Sequence, residues 1–138
     1  MDKTKLKYLP TPAALIDRLV ISQLKELKLS EHRDEYTKEI NEILNDLDVH
    51  FEEKPVQVTA KLVRDIIINA IMNDEIWFNE SNFRKGIRTD NHLELTHGLN
   101  GLRNEASNRI QNQLDPTGRK DYKIDNVEAF KNWTPSGY

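Results

Sequence analysis

Apolar residues recur every three or four positions along most of this chain, which is the spacing of an α-helix that buries one side. In the first third of the sequence this spacing predicts one helix over 12–28 and a second over 31–47. Thr11 and Pro12 mark the first start, because Thr is a good N-cap and Pro fits the first helical position. The joint between the two helices is short, which predicts antiparallel neighbours. The predicted buried positions are Ile16, Leu19, Val20, Leu24 and Leu27 in the first helix and Tyr36, Ile40, Ile43, Leu44 and Leu47 in the second.

A second pair of helices follows a break in the pattern. Residues 48–58 lose the helical spacing and contain Pro55, so we expect a connector there. Thr59 is a suitable cap for a third helix over 60–84, and Asp90 for a fourth over 91–114, with a loop at 85–89 between them. The predicted buried positions are Leu62, Val63, Ile66, Ile67 and Ala70 in the third helix and Leu95, Leu99, Leu102, Ala106, Ile110 and Leu114 in the fourth.

The chain changes character after residue 114. The sequence Asp-Pro-Thr-Gly at 115–118 is a turn signal, so 115–124 is predicted to be a loop. Asp125 and Glu128 resemble a capping box and predict a short helix over 126–132, before a tail at 133–138. A chain of 138 residues fits one domain. The sequence therefore predicts a single all-α domain over 1–138, an antiparallel helical bundle of four principal helices plus a short C-terminal helix, with a flexible lead-in at 1–10.

Composition narrows the chemistry. The chain has no cysteine, which excludes disulfides, thiolate zinc sites, iron–sulfur clusters and a cysteine nucleophile. The net charge is −3 and the 20 basic residues are scattered, so we expect no binding of bulk nucleic acid. No apolar run approaches the roughly 20 residues of a membrane helix, and the N-terminus lacks the apolar core of a signal peptide. We therefore expect a cytoplasmic protein with no membrane partner, and no motif implies a cofactor.

One oddity of composition is the presence of 13 Asn residues, although Asn is a weak helix former. On a helical projection, polar residues from Asn73 onward continue the predicted core side of the third helix, and a polar ridge on the fourth helix lies beside its apolar stripe. These side chains either form a network that fixes how the helices pack or line a pocket. In the pocket, Trp77 would stack on a planar group while Arg84 and Arg103 hold an anionic, nucleotide-like small molecule. The candidate ligand-binding residues are Asn73, Trp77, Glu80, Arg84, Asn100, Arg103 and Asn104.

The same residues carry a resemblance. The pattern Trp77-x-x-Glu80-x-x-x-Arg84, followed by Asn100-x-x-Arg103-Asn104, resembles small all-helical proteins of unknown function that are encoded in bacterial surface-polysaccharide gene clusters and by bacteriophages. The segment 15–19 with a lysine downstream is similar to an element of the same proteins. The resemblance implies an all-α fold and a polar cluster at these positions, and it supplies no established activity. The resemblance to phage-encoded proteins also suggests one functional class, the phage proteins that sequester nucleotide signals of the host.

The second predicted helix carries an acidic side. Its spacing resembles the paired acidic motifs with which small all-α nucleoside-triphosphate pyrophosphatases hold Mg²⁺. Such enzymes need a second acidic pair on the next core helix, and Asp65, Asp74 and Glu75 do not line up as one. A solvated surface is the alternative interpretation. The acidic residues are Glu35, Glu39, Glu42 and Asp46, and the four histidines, which show no metal-site spacing, are His32, His50, His92 and His97.

Three functional hypotheses follow. The first is a non-enzymatic binding protein that holds an anionic small molecule between the third and fourth helices. The second is a structural or interaction protein that forms a homo-oligomer through its helices and its aromatic C-terminal tail, although that tail could instead dock on its own bundle. The third is the Mg²⁺-dependent pyrophosphatase. We predict no catalytic residues or metal ligands under the first two. This aromatic C-terminal tail is taken over residues 119–138, and its aromatic residues are Tyr122, Phe130, Trp133 and Tyr138.

Overall fold

The described part of the chain is all-helical. A computed structural model describes residues 4–87 and 92–120, and within them it contains four α-helices and one short 3₁₀ turn, with no strand. The predicted Asp90 cap, the predicted helix over 126–132 and the aromatic tail lie outside the described residues. The helices are α1 (Pro12–Lys28), α2 (Arg33–Glu53), α3 (Ala60–Arg84) and α4 (His92–Leu114), and the 3₁₀ turn is Ser30–His32.

Local signals set the helix ends. The Thr11 hydroxyl accepts a hydrogen bond from the backbone N–H of Ala14 at 3.2 Å, and the Thr59 hydroxyl accepts one from Leu62 at 3.1 Å. Both are N-cap bonds, which satisfy backbone donors that the helix leaves open. Both predicted caps are therefore confirmed.

Helix α2 is longer than predicted. It continues to Glu53, through residues that the loss of apolar spacing assigned to a connector over 48–58. Val49 is 46% and Phe51 37% exposed there, so this last part of the helix carries no regular buried stripe. A helix needs only compatible residues to continue, and Pro55 disfavours helical backbone at the residue before it. The proline, not the end of the stripe, marks the end of α2.

Helix α1 joins the two helical pairs. It packs along α2 and also contacts α3 and α4, while α3 and α4 pack on each other. Gln111, which is buried, ties the N-terminus of α1 to the end of α4, because its Oε1 accepts from the N–H of Ala13 at 3.3 Å and its Nε2 donates to the Asp115 carbonyl at 2.7 Å. The cores are a first cluster of Ala13, Leu15, Ile16, Ile43, Leu47, Leu62, Ile110 and Leu114 and a second of Ile68, Met72, Leu99, Leu102 and Ala106.

The predicted buried side of α4 is correct, and that of α3 is wrong in part. Leu62 is buried as expected, but Val63 and Ile67 are 46% and 52% exposed. Ile68 and Met72 are buried in their place. Leu27 of α1 and Leu44 of α2, also predicted in the core, are exposed. Helix α3 carries apolar residues on nearly every side, so its own periodicity does not specify which side meets α1 and α4.

Candidate functional site

The polar residues of α3 form a buried stripe. Asp65 and Asn69 are fully buried and Asn73 is nearly so, at a spacing of four residues that places them on one side of the helix. That side packs against α1 and α4. We call this cluster the polar seam, and its residues are Asp17 of α1, Asp65, Asn69 and Asn73 of α3, and Arg103, Ser107, Arg109 and Gln113 of α4.

The middle of the polar seam joins three helices through two asparagines. The amide nitrogens of Asn69 and Asn73 both donate to Oδ1 of Asp17, at 3.1 Å and 2.9 Å. Asn69 also donates to the Ser107 hydroxyl at 3.1 Å, and Asn73 to Oδ1 of Asn69 at 3.0 Å. Arg103 Nη1 donates to Oδ1 of Asn73 at 3.4 Å. Both amides therefore have partners inside the protein, as buried polar groups require.

The other end of the polar seam is an ion pair. The carboxylate of Asp65 accepts from Arg109 Nε at 2.9 Å and from Gln113 Nε2 at 2.8 Å. The Asp65 side chain is 0% exposed and that of Arg109 is 20% exposed. Thr59, the N-cap of α3, donates to Oε1 of Gln113 at 3.3 Å. The start of α3 is thus fixed against the end of α4 by charge and hydrogen bonding.

The predicted ligand-binding residues divide into four groups. Asn73 and Arg103 are brought together in the polar seam. Glu80 lies apart from them, where its Oε1 accepts from the Thr96 hydroxyl at 3.4 Å and lies 3.8 Å from Nε2 of His92. Arg84 is exposed at the end of α3. Trp77, Asn100 and Asn104 are half-buried.

Sequence reasoning missed the larger share of the polar seam. It weighed Asp65 only as a possible metal ligand and rejected that role, it gave Asp17 no contact with the third or fourth helix, and it did not single out Asn69. A usable signal exists, because a polar residue recurs every fourth position at 65, 69 and 73 inside the most apolar segment of the chain. Such a run on one side of a helix indicates a buried polar contact with a neighbouring helix.

The acidic side of α2 is partly neutralised. Arg18 Nε donates to Oε1 of Glu39 at 2.6 Å, and this hydrogen bond is the main cause that holds the pKa of Glu39 below its usual value. Glu42 and Asp46 lie instead on the outer side of α2, in an open cavity of about 500 Å³. Within residues 4–87 and 92–120, no three acidic or histidine side chains converge as a metal site would require.

The exposed side of α3 carries four large apolar residues. Val63, Ile67 and Ile71 are each about half exposed, and Phe78 is 63% exposed. We call these four residues the apolar face of α3. A surface helix usually buries its apolar side and exposes its polar side. Helix α3 does the opposite along this stretch, because it buries Asp65, Asn69 and Asn73 on its other side.

An apolar groove continues this surface toward α2. It is a cavity of about 390 Å³ between α1 and α2, and Ala70 supplies its edge on α3. Ala70 is adjacent in sequence to Ile71 and lies one turn from Ile67, so the groove and the apolar face of α3 are neighbouring surfaces. The residues that line the groove are Leu19, Val20, Gln23, Leu24, Ile40, Leu44 and Ala70.

Comparison with known proteins gives no relative from which a function could be transferred: no family model, no curated protein and no solved structure matches the chain. Among the described residues, no helix is both long enough and apolar enough to cross a membrane. The polar seam and the apolar face of α3 are distinctive features among the described residues.

Proposed function

We propose that this chain is a non-enzymatic interaction protein that binds another protein chain through the apolar face of α3 and the adjoining groove. The observation that carries the proposal is the half exposure of Val63, Ile67 and Ile71 at a spacing of four residues in the middle of α3. Single exposed apolar residues are ordinary, but a contiguous set beside an apolar groove is typical of a protein-binding surface.

Covering the apolar face of α3 would contribute favourable free energy to the binding of a partner. Burying an isoleucine or valine side chain completely contributes about 1.5–3 kcal/mol. Covering the exposed half of three such side chains would therefore contribute about 2–5 kcal/mol, before any contribution from the groove. β-branched side chains are also stiff, so little side-chain entropy is lost when a partner covers them.

The polar seam supports the proposal because it can act as a scaffold that fixes the orientation of α3. Its amides and carboxylates are paired with one another, which favours a structural role over ligand binding. The pairs Asn73–Arg103, Asn69–Ser107 and Asp65–Gln113 run in opposite order along α3 and α4. That order supports an antiparallel bundle, in which the polar seam holds α3 in one rotation and leaves its apolar face outward.

The test uses the absence of native cysteine. Ile67→Cys introduces the sole thiol of the chain into the apolar face, and Asn45→Cys places one on the exposed outer side of α2 as a control. In cells that express the chain from its own gene, we expect a maleimide to label Cys at position 67 at least fivefold more slowly than at position 45. In dilute purified protein the two rates should agree within about twofold. Equal labelling of the two positions inside cells would refute the proposal.

A second function, the binding of an anionic nucleotide-like molecule, is favoured by one observation. Arg103 is half-buried beside Asn73 and uses one of its five N–H donors in the 3.4 Å hydrogen bond between them. A nucleotide that binds there, present at a concentration 100 times its Kd, would stabilise the fold by about 2.7 kcal/mol. A thermal-shift assay with a panel of nucleotides detects a stabilisation of this size. The shift should disappear in Arg103→Gln, and a panel without any shift would rule this function out.

A further inference from the structure

Charged residues lie on both sides of Ile67 and Ile71 along α3. Lys61 and Arg64 are exposed before these two residues, while Asp74 is exposed and Glu75 half-buried after them. Between residues 61 and 75 the exposed surface of this helix is therefore basic at one end, apolar in the middle and acidic at the other end, and the exposed Phe78 and Arg84 lie beyond this segment. A surface of this kind is complementary to itself when one copy is reversed.

From this pattern we infer that the partner of the apolar face is a second copy of the same chain, with the two α3 helices packed antiparallel. The inference rests on the proposed function and names its partner. A crossing point between residues 69 and 70 sets Arg64 against Glu75 of the partner subunit. Ile67 and Ile71 then interdigitate with the same residues of the second copy, as apolar side chains do between paired helices.

The helical geometry is consistent with this pairing. Arg64 and Glu75 are eleven residues apart, which is close to three full helical turns. Both therefore lie along the same edge of the apolar face of α3. In an antiparallel pair with twofold symmetry, the same sides of the two helices meet, so each Arg64 faces an acidic residue. A parallel pair would set the two basic ends together and the two acidic ends together, which is repulsive. Charge therefore selects the antiparallel arrangement.

The experiment is a charge exchange followed by sedimentation velocity over a wide range of protein concentrations. We expect the wild type to be a dimer at high concentration, and Arg64→Glu and Glu75→Arg each to raise the dimer Kd by roughly tenfold or more. The double variant R64E/E75R restores the pairs and should return to within about threefold of the wild-type Kd. Lys38→Glu, on the outer side of α2, is the matched charge reversal and should leave the Kd unchanged.

A second measurement reports the orientation directly. In oxidising conditions a mixture of Arg64→Cys and Glu75→Cys chains should form a mixed disulfide, because the antiparallel pairing brings these positions together. Arg64→Cys alone should not form a disulfide with itself. Self-linking of Arg64→Cys, or failure of R64E/E75R to restore the dimer, would overturn the inference.

A separate variant tests how much the apolar contacts contribute to the proposed dimer. Ile67→Asp should leave the protein monomeric at concentrations where wild type is dimeric, while Leu93→Asp, at an exposed apolar position of α4, should not. Circular dichroism melting of both variants shows whether they fold. A monomeric wild type whose position 67 is nevertheless protected in cells would mean that a different protein covers the face. That outcome refutes the inference and leaves the proposed function standing, whereas equal labelling in cells refutes both.

Discussion

The ion pair between Asp65 and Arg109 allows a sharp test of how the polar seam contributes to stability. In Asp65→Ala the guanidinium of Arg109 and the amide of Gln113 lose an acceptor that lies at 2.9 Å and 2.8 Å. Removing one partner of a buried ion pair costs about 3–5 kcal/mol, because the remaining group keeps its desolvation cost. The Arg109 side chain is 20% exposed, so water can solvate part of it. We therefore expect the low end of that range, a loss of about 3 kcal/mol.

Urea denaturation followed by circular dichroism measures this loss as a lower midpoint with an unchanged slope. For a chain of this length the same loss lowers the melting temperature by about 10 °C. Asp74→Ala is the matched control, because Asp74 lies on the same helix but its pair with Lys28, at 3.4 Å, is exposed. Exposed pairs contribute about 0–1 kcal/mol, so that variant should stay close to wild type.

A double variant distinguishes the cost of an unpaired charge from the cost of losing both charged side chains. Replacing both Asp65 and Arg109 by leucine removes the two charges together, and such exchanges are often neutral or stabilising. We expect the double variant to recover at least half of the stability that Asp65→Ala loses. If Asp65→Ala and Asp74→Ala cost the same, or if Asp65→Ala costs less than about 1 kcal/mol, the view that the buried pair fixes α3 against α4 is incorrect.

Three further predictions concern other contacts. Asp17→Ala removes the acceptor shared by two buried amides of α3, so denaturation should show a loss of about 2–4 kcal/mol, and Asp17→Asn, which keeps one oxygen, should lose less than half of that. The hydrogen bond from Arg18 lowers the pKa of Glu39 below the usual 4.5, so the ionised form stabilises the fold above that pH and the contribution disappears as the pH falls through the lowered pKa. Wild type should therefore exceed Glu39→Gln by up to about 1 kcal/mol at pH 7, and this difference should shrink as the pH is lowered below 4.5; a difference that stays constant as the pH falls would contradict the assignment. Gly118→Ala adds a methyl group against the amide of Gln111 and should cost about 1–3 kcal/mol by thermal melting, with little further loss when Gln111→Ala has already removed the obstacle.

Much of the fold follows from local sequence. The caps at Thr11 and Thr59 act within three residues, so they could be predicted without knowledge of any neighbour. The buried side of α4 was also predictable, because this helix has a single apolar stripe that ends at Leu114. The end of α2 was predictable from Pro55 but not from the apolar spacing, which stops a turn and a half earlier.

The candidate site was less predictable. Asn73 and Arg103, which are in contact, were both among the predicted residues, but the contacts of Asn69 with Asp17 and of Asp65 with Arg109 were not predicted. A projection shows which residues of one helix share a side, and it carries no information about which residues of another helix will contact them. Pairing across helices depends on the rotation and height of each helix in the assembled domain.

By itself, the sequence determined that the described part of this protein is helical, where α1 and α3 begin and end, where α4 ends, and which chemistries the lack of cysteine excludes. The tertiary structure alone decided the rotation of α3. With apolar residues on nearly all sides, α3 could bury either Ile67 or Asn69, and hydrophobicity favours the former. Asn69 is buried because Asp17 and Ser107 offer it hydrogen bonds, while Ile67 faces outward. Paired polar groups on three helices outweigh the burial of one apolar side, and that side therefore stays exposed.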